Sequence, residues 1–166
     1  MQRILGLDPG LRQTGWGILE VVDAQTLQPL SHGVITSPSS APLAQRLGHI
    51  FQALCTIITT YKPTHAGVEE TFVNQNPASA LKLGMARGVV LLAPAHHNVE
   101  VAEYTANQVK KAVVGKGHAS KEQVAQMVNL LLPQAQASQA DAIDALAVAI
   151  THAHYLQTHQ NWRALA

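Results

Sequence analysis

Four of the ten acidic residues stand where their carboxylates could act together. Asp8 and Glu69 each end a short apolar run that is typical of a buried strand. Asp141 and Asp144 open the last, alanine-rich segment, where residues three apart lie about 60° apart around a helix axis and share one face. If the two strands are neighbours and the helix packs across them, the four carboxylates converge.

Clustered carboxylates repel one another and need cations. Two unit charges 4 Å apart repel by about 1 kcal/mol in water and by about 4 kcal/mol at an effective dielectric constant near 20. Mg²⁺ takes carboxylate oxygens readily and keeps waters for substrate phosphates. Two such ions about 4 Å apart can activate a water and stabilise the leaving oxygen of a phosphodiester. The hypothesis is therefore a hydrolase with two Mg²⁺ per site, for which we expect Mn²⁺ to substitute.

Each acid also has a simpler interpretation. Asp8 precedes a Pro-Gly pair and suits a turn, and Glu69 beside Glu70 suits a strand end that reaches water. Asp141 suits the first turn of a helix, where the helix dipole favours an acid, and Asp144 suits a surface position. Spacing alone does not prove that the four converge.

The order of predicted elements defines a fold class. Three strands in the first 36 residues, joined by two turns, predict an antiparallel meander. Apolar spacings of three and four predict a helix between Pro42 and Pro63, before the strand that ends at Glu69. Asn76, followed by proline, suits the start of a second helix, which we expect to end at about residue 93.

The second half of the chain reads as one strand and three helices. A strand is predicted near residues 99–101 and a helix at 106–114. A capping box at Ser120 opens a helix that stops at Pro133, and the last helix runs from 138 to about 156. The order βββαβαβααα predicts an α/β fold with one mixed sheet flanked by helices. We expect one domain over residues 1–156 and a short tail over 157–166.

Composition narrows the class of protein. The 166 residues suit one domain, and 47% apolar against 13% charged residues can form a core, which must be aliphatic because aromatics are only 4%. The single cysteine, Cys55, excludes a disulfide framework and a cysteine-based zinc site. The start is no signal peptide and no apolar run reaches about 18 residues, so we expect a cytoplasmic protein without a membrane partner.

Basic residues are concentrated in one part of a nearly neutral chain. Residues 82–121 contain six basic and two acidic residues, whereas the remainder contains five basic and eight acidic ones. Such a segment is either a solvated face or a footprint for a polyanion. The basic residues that could contact a nucleic acid are Lys82, Arg87, Lys110, Lys111, Lys116 and Lys121.

Five sequence blocks stand out between about residue 3 and about residue 156. They are GLDPG with TGWG at 6–17, VEETF at 68–72, ALKLGMARGV at 80–89, QVKKAVVG at 108–115 and QADAIDALA at 139–147. Together, and in this order, they resemble the RuvC family of Holliday-junction resolvases.

The resemblance implies a ribonuclease-H-like fold with a five-stranded sheet, and a homodimer. It further implies Mg²⁺-dependent cutting of two opposed strands of a four-way DNA junction, which leaves 5′-phosphate and 3′-hydroxyl ends, and cooperation with the RuvA–RuvB branch-migration complex. The family's metal-binding acids fall on Asp8, Glu69, Asp141 and Asp144.

Three further roles carry over from the family. The aromatic residue that holds the junction open falls on Phe72, and the basic residues near the cleaved phosphate fall on Lys110 and Lys121, the latter as a catalytic cation. Gln75 replaces the Lys or Arg that many members carry, which puts a phosphate contact there in doubt.

Three rival functions share parts of this pattern. A nucleotide-binding enzyme of the actin-like class would use a similar first turn, but such proteins need two lobes and about twice this length. A related nuclease that cleaves RNA or RNA–DNA hybrids would have the same sheet and acids. A non-catalytic junction-binding module would be hindered by four acids, because carboxylates repel phosphates.

Overall fold

One mixed sheet organises the chain. The computed structural model describes residues 2–23, 26–70 and 76–164. The strands are β1 (Gln2–Asp8), β2 (Gln13–Val21), β3 (Leu27–Thr36), β4 (His65–Glu70) and β5 (Glu100–Thr105), in the spatial order β3-β2-β1-β4-β5. The first three strands form the expected antiparallel meander, and β4 and β5 extend the sheet in parallel with β1.

In the described part of the chain, five helices cover the two faces of the sheet in the expected order. They are α1 (Leu43–Tyr61), α2 (Pro77–His96), α3 (Ala106–Val114), α4 (Lys121–Leu131) and α5 (Ala140–Ala164). The α1 and α2 helices pack with Leu5 and Leu7 on one face, and α3, α4 and α5 pack with Ile4 and Leu19 on the other. Successive side chains of a strand point to opposite faces of the sheet, so the same strands contribute aliphatic residues to both layers. The predicted α/β class with a five-stranded sheet is confirmed.

Two helices run further than the sequence predicted. The α2 helix continues through Pro94 to His96, because a proline in the last turn removes only one backbone donor while its own carbonyl accepts from His97 and Val99. The α5 helix continues to Ala164 rather than ending at about residue 156. The division of the chain into a domain and a tail at residue 156 stays a prediction.

The helix starts agree with the predicted caps. The side chain of Asn76 accepts from the first-turn amides of α2, with proline at the first helical position. Ser120 and Gln123 form a reciprocal capping box on α4, and Thr105 forms one on α3 that the sequence reading had not singled out. These caps fix where α3 and α4 begin, and both helices carry lysines toward the site described below.

The α2 helix has an apolar face that the rest of the described chain leaves uncovered. Leu81, Met85 and Leu92 are exposed, and a Cβ atom built on Gly84 or Gly88 meets no atom within 4 Å. These two glycines therefore do not serve close packing against the chain's own sheet. Contrary to the expectation from apolar runs, α2 reaches the length and mean hydropathy (1.3) of a membrane span, a criterion of length and composition alone.

Candidate active site

Three glycines let α5 lie directly on the backbone of β1 and β2. A Cβ atom on Gly6 would stand 2.0 Å from the carbonyl oxygen of Ala145, and one on Gly15 would stand 1.9 Å from that of Asp141. A Cβ atom on Gly17 would meet the side chain of Leu146 at 2.6 Å. Real Cβ atoms do not approach other atoms this closely, so the first turns of α5 have their present position because these residues lack side chains.

The strand register brings the two strand-end acids together. The parallel pairing of β1 with β4 places Leu7 opposite Val68. Asp8 and Glu69 are the next residues on these two strands, so they lie side by side at the same end of the sheet. On the antiparallel side, Asp8 pairs with Gly15, the residue on which the backbone of Asp141 rests. The acids at the strand ends and at the start of α5 therefore meet at one edge of the sheet.

This edge contains a cavity of about 210 Å³ that holds three of the four acids and two lysines. Asp8, Glu69, Asp144, Lys110 and Lys121 line it, together with apolar side chains from α3, α4 and α5. Asp141 lies beside the cavity rather than in its wall, although its charge still acts on Asp8. The convergence that spacing alone could not prove is present for three acids, with the fourth adjacent.

The carboxylates destabilise one another's charged forms. Burial first, and then the charges of Glu69, Asp144 and Asp141, raise the pKa of Asp8 to about 8, and Lys121 opposes the shift. Burial and the charge of Asp144 also raise the pKa of Glu69, against Lys121 and Lys110. The site therefore has an excess of negative charge that its lysines offset only in part.

Lys121 is the cation in closest contact with the acids. Its Nζ atom lies 3.3 Å from Oδ2 of Asp144, whose charge raises the pKa of the lysine. Its side chain is nonetheless 80% exposed, whereas that of Asp144 is 21% exposed. Because Lys121 is the first residue of α4, the capping box at Ser120 fixes its backbone at the mouth of the cavity.

The donor chemistry of the site fits divalent cations. Hard ions such as Mg²⁺ prefer carboxylate oxygens, and here several are held in a half-buried cavity at a cost in repulsion that cations would remove. The shell is not fully assembled by the side chains alone, because no group of three or more His, Cys, Asp or Glu among the described residues is arranged to hold an ion.

The other predicted DNA-contact residues that the structure describes lie outside the cavity wall. Lys82, Lys111 and Lys116 are exposed, on α2, on α3 and in the loop after α3. Arg87 instead forms an ion pair with Glu103, which joins α2 to β5. Phe72 and Gln75 fall outside the described residues.

Sequence reasoning missed the residues that hold the turn after Asp8. Thr14 donates from Oγ1 to the carbonyl of Gly10 at 2.7 Å, and Ser37 donates from Oγ to the carbonyl of Leu11. Arg46, on α1, donates to Oγ of Ser37 at 3.0 Å and to the same Leu11 carbonyl at 3.3 Å. Only Thr14 carried a signal in the sequence, as part of the TGWG block, because the other two partners are distant along the chain.

Known proteins resemble this chain over nearly its whole length. Residues 4–152 match the family profile described as crossover junction endodeoxyribonuclease RuvC. The protein of that name from Paramagnetospirillum magneticum is 57% identical over 158 residues, which is 95% of each chain. The one from Xanthobacter autotrophicus is 56% identical over 153 residues, or 92% of this chain and 90% of that one.

A solved structure agrees with the fold and the sequence together. The structure of T. thermophilus RuvC in complex with a Holliday junction substrate superposes with a TM-score of 0.89 at 34% identity, over 96% of this chain and 97% of that one. Profile, relatives and structure all cover the strands and helices that supply the acidic cavity. The chain therefore belongs to the RuvC family of crossover junction endodeoxyribonucleases.

Proposed function

We propose that this protein is a structure-selective endonuclease that resolves four-way DNA junctions by cutting two opposed strands during recombination and repair. The observation that carries the proposal is the cavity in which Asp8, Glu69 and Asp144 meet Lys110 and Lys121. Acids that bind cations, next to lysines that bind phosphate, are what phosphodiester hydrolysis requires. The relatives named above carry the same activity in their names.

Cleavage of a synthetic four-way junction tests the proposal. With Mg²⁺ present, the wild-type protein should cut two opposed strands and leave 5′-phosphate and 3′-hydroxyl ends. Asp8→Asn should bind the junction and cut it orders of magnitude more slowly, because lysines supply affinity while the acids supply catalysis. Full activity of Asp8→Asn refutes the assignment of the site.

We infer that Asp8, Glu69, Asp141 and Asp144 would hold two Mg²⁺ ions, with Mn²⁺ as a substitute. Bound there, the ions would supply Lewis-acid activation of water and neutralisation of charge on the leaving oxygen. The acidic side chains orient and hold these cations through hard oxygen donors. The half-buried position of Asp8 limits the water that competes for its oxygens.

The lysines of the cavity act on the phosphate itself. Lys121 keeps an exposed ammonium group at the mouth of the cavity while it remains paired with Asp144, so it can contact a phosphate oxygen without leaving the site. Lys110 lines the same cavity from α3. Two fixed cations next to the scissile phosphate stabilise the charge that develops in the transition state.

Further contacts with DNA are proposed for the exposed basic residues. Lys82, Lys111 and Lys116 are free to reach the arms of the junction, and Phe72 is proposed as the wedge that unstacks bases near the crossover. Arg87 can contribute to DNA binding only in competition with Glu103, its partner in the ion pair.

We propose that the protein acts as a homodimer through α2. A junction is nearly two-fold symmetric, so a symmetric dimer presents two equal sites to opposed strands. The face of α2 that carries Leu81 and Met85 is apolar and exposed, and Gly84 and Gly88 leave open space for a second backbone. A second copy of α2 would cover these exposed apolar side chains. The same side chains contribute to the high mean hydropathy of the helix.

Sedimentation of an interface variant tests the dimer. Leu81→Arg should shift the protein from dimer to monomer at micromolar concentration and abolish paired cutting. Leu130→Arg is the matched control, because Leu130 is equally apolar and exposed but lies on α4. A wild-type protein that sediments only as a monomer contradicts the proposal.

The remaining proposals concern substrate and setting. A four-way junction is favoured over RNA or an RNA–DNA hybrid by the substrate in the T. thermophilus complex, and side-by-side cleavage of both substrates decides between them. Cooperation with the RuvA–RuvB complex and a cytoplasmic location accompany the proposed activity. Co-sedimentation with RuvA–RuvB on a junction tests the first of these.

A further inference from the structure

The turn between β1 and β2, residues 9–12, presents the exposed side chain of Arg12 on a backbone that buried polar groups hold in place. Residues 9–12 follow Asp8 directly, and they are anchored by the hydroxyl groups of Thr14 and Ser37, which are 0% and 2% exposed. The amide of Ser37 also donates to the carbonyl of Arg12 at 3.0 Å. Surface turns usually hydrogen-bond to water, so several buried donors committed to one turn indicate a need for a fixed backbone.

Arg12 is the charged residue that this fixed turn presents. Its side chain is exposed, and among the described residues its guanidinium has no acidic partner within ion-pair distance. The turn is anchored through Arg46 on the α1 face of the sheet, whereas Lys110 and Lys121 belong to helices on the α5 face. The anchors of the Arg12 turn and the two lysines of the cavity therefore lie on opposite faces of the sheet.

We propose that Arg12 binds a backbone phosphate of the DNA next to the phosphodiester at Asp8, and that Thr14, Ser37 and Arg46 are positioning residues for its turn. The proposal rests on the junction-cleaving function proposed above and adds a phosphate contact on the α1 side. A guanidinium can bind a phosphate through two parallel hydrogen bonds. A backbone fixed beforehand lowers the entropy lost when that contact forms.

The salt dependence of junction binding tests the contact without any cleavage. A labelled four-way junction is titrated in EDTA at several salt concentrations with wild type, Arg12→Gln, Arg12→Lys and Lys62→Gln. Arg12→Gln should weaken binding by about 10-fold and lower the slope of log K against log salt by about 1 per protomer. Arg12→Lys should restore most of the slope, because the charge returns.

Lys62→Gln is the control for a general loss of positive charge. Lys62 is also exposed but follows α1 at the opposite end of the sheet, just before β4 begins. It should keep the wild-type slope. A wild-type slope for Arg12→Gln, or an equal loss in Lys62→Gln, refutes the contact while the wild-type protein still binds and cuts junctions.

A double variant tests the role of the anchors. Ser37→Ala keeps the charge of Arg12 but removes the hydroxyl that anchors Leu11, so it should weaken junction binding less than Arg12→Gln does. The double variant Arg12→Gln/Ser37→Ala should bind no more weakly than Arg12→Gln alone, because the hydroxyl of Ser37 affects binding only through the position of Arg12. Fully additive losses contradict a positioning role. A wild-type protein that does not prefer a junction to a duplex overturns the proposed function together with this contact.

Discussion

Gly15→Ala should disable the active site through a single methyl group. The added Cβ atom would stand 1.9 Å from the carbonyl oxygen of Asp141, and contacts below 3.0 Å essentially do not occur. The clash is with backbone, which cannot rotate away. The start of α5 must therefore move by about 1.1 Å relative to β2, and it takes the carboxylates of Asp141 and Asp144 with it.

A displacement of this size has a predictable cost. A shift of about 1 Å in a catalytic group can lower the rate about 10²-fold, and overpacking a close contact costs about 1–3 kcal/mol of stability. We expect Gly15→Ala to cut the junction about 10²-fold more slowly and to unfold at lower urea concentration. Junction affinity in EDTA should stay close to wild type, because the basic residues do not move.

Two other glycines make a graded series with it. Gly48→Ala on α1 meets no atom within 4 Å, so it should keep full activity and gain about 0.5–1 kcal/mol of helix stability. Gly17→Ala meets the movable side chain of Leu146 and should fall between the two. Wild-type turnover of Gly15→Ala, at unchanged stability, would refute the reasoning that this contact positions the acids.

Three further predictions concern stability and the mouth of the cavity. Burial, and then the charge of His65, lower the pKa of His152 from 6.5 to about 4. The unfolded chain therefore binds more protons between these values, and stability is lost as the pH falls. At pH 5 this costs about 2 kcal/mol, so the drop in unfolding free energy from pH 7.5 to pH 5 should be smaller by that amount in His152→Gln. Lys121→Gln should slow cleavage about 10²-fold but change stability by less than about 1 kcal/mol, because its contact with Asp144 is exposed. Ser120→Ala should cost about 1 kcal/mol in urea unfolding through loss of the α4 cap.

Local signals in the sequence were enough to predict the order of the elements and to select four acids as candidates for the site. Strands that end in acids, apolar spacing along the helices and side-chain caps such as Asn76 and Ser120 all depend on neighbours within a few residues. The order of elements and the mixed sheet followed from them. The convergence of Asp8 and Glu69 was conditional in the sequence, because it required their strands to be neighbours, and the parallel pairing of β1 with β4 meets that condition.

Contacts between distant parts of the chain could not be predicted in this way. Gly15 reads as part of a turn motif, and nothing near it in sequence shows that the backbone of Asp141 rests on it. Arg46 reads as one charge on an amphipathic helix, and nothing near Arg87 in the sequence indicates that it pairs with Glu103. The ends of α2 at His96 and of α5 at Ala164 were missed. Proline usually stops a helix, but Pro94 lies inside the last turn of α2, and the polar segment after residue 156 carries little apolar periodicity.

The charge of Asp8 should make the metal-free wild-type protein less stable than a variant that lacks this charge. Burial and three neighbouring carboxylates raise the pKa of Asp8 from 3.8 to about 8, so the folded chain binds more protons than the unfolded chain between these values and loses stability as the pH rises. Asp8→Asn removes this charge without changing shape. The full shift corresponds to about 5 kcal/mol at pH 8, and burial of the Asn amide offsets about 3 kcal/mol of it. In EDTA at pH 8 the variant should therefore be more stable than wild type by about 2 kcal/mol, with a Tm higher by roughly 4–8 °C.

The same variant should lose this advantage when cations are added. Mg²⁺ binds the folded wild-type site and should raise its Tm, whereas Asp8→Asn lacks one of the ligands and should respond less. Glu70→Gln is the matched control, because Glu70 also ends β4 but does not line the cavity. It should match wild type with and without Mg²⁺. If Asp8→Asn were no more stable than wild type in EDTA, the repulsion inferred from the cavity would be wrong. A gain in stability together with a loss of cleavage would show that the fold sacrifices stability to hold these acids together.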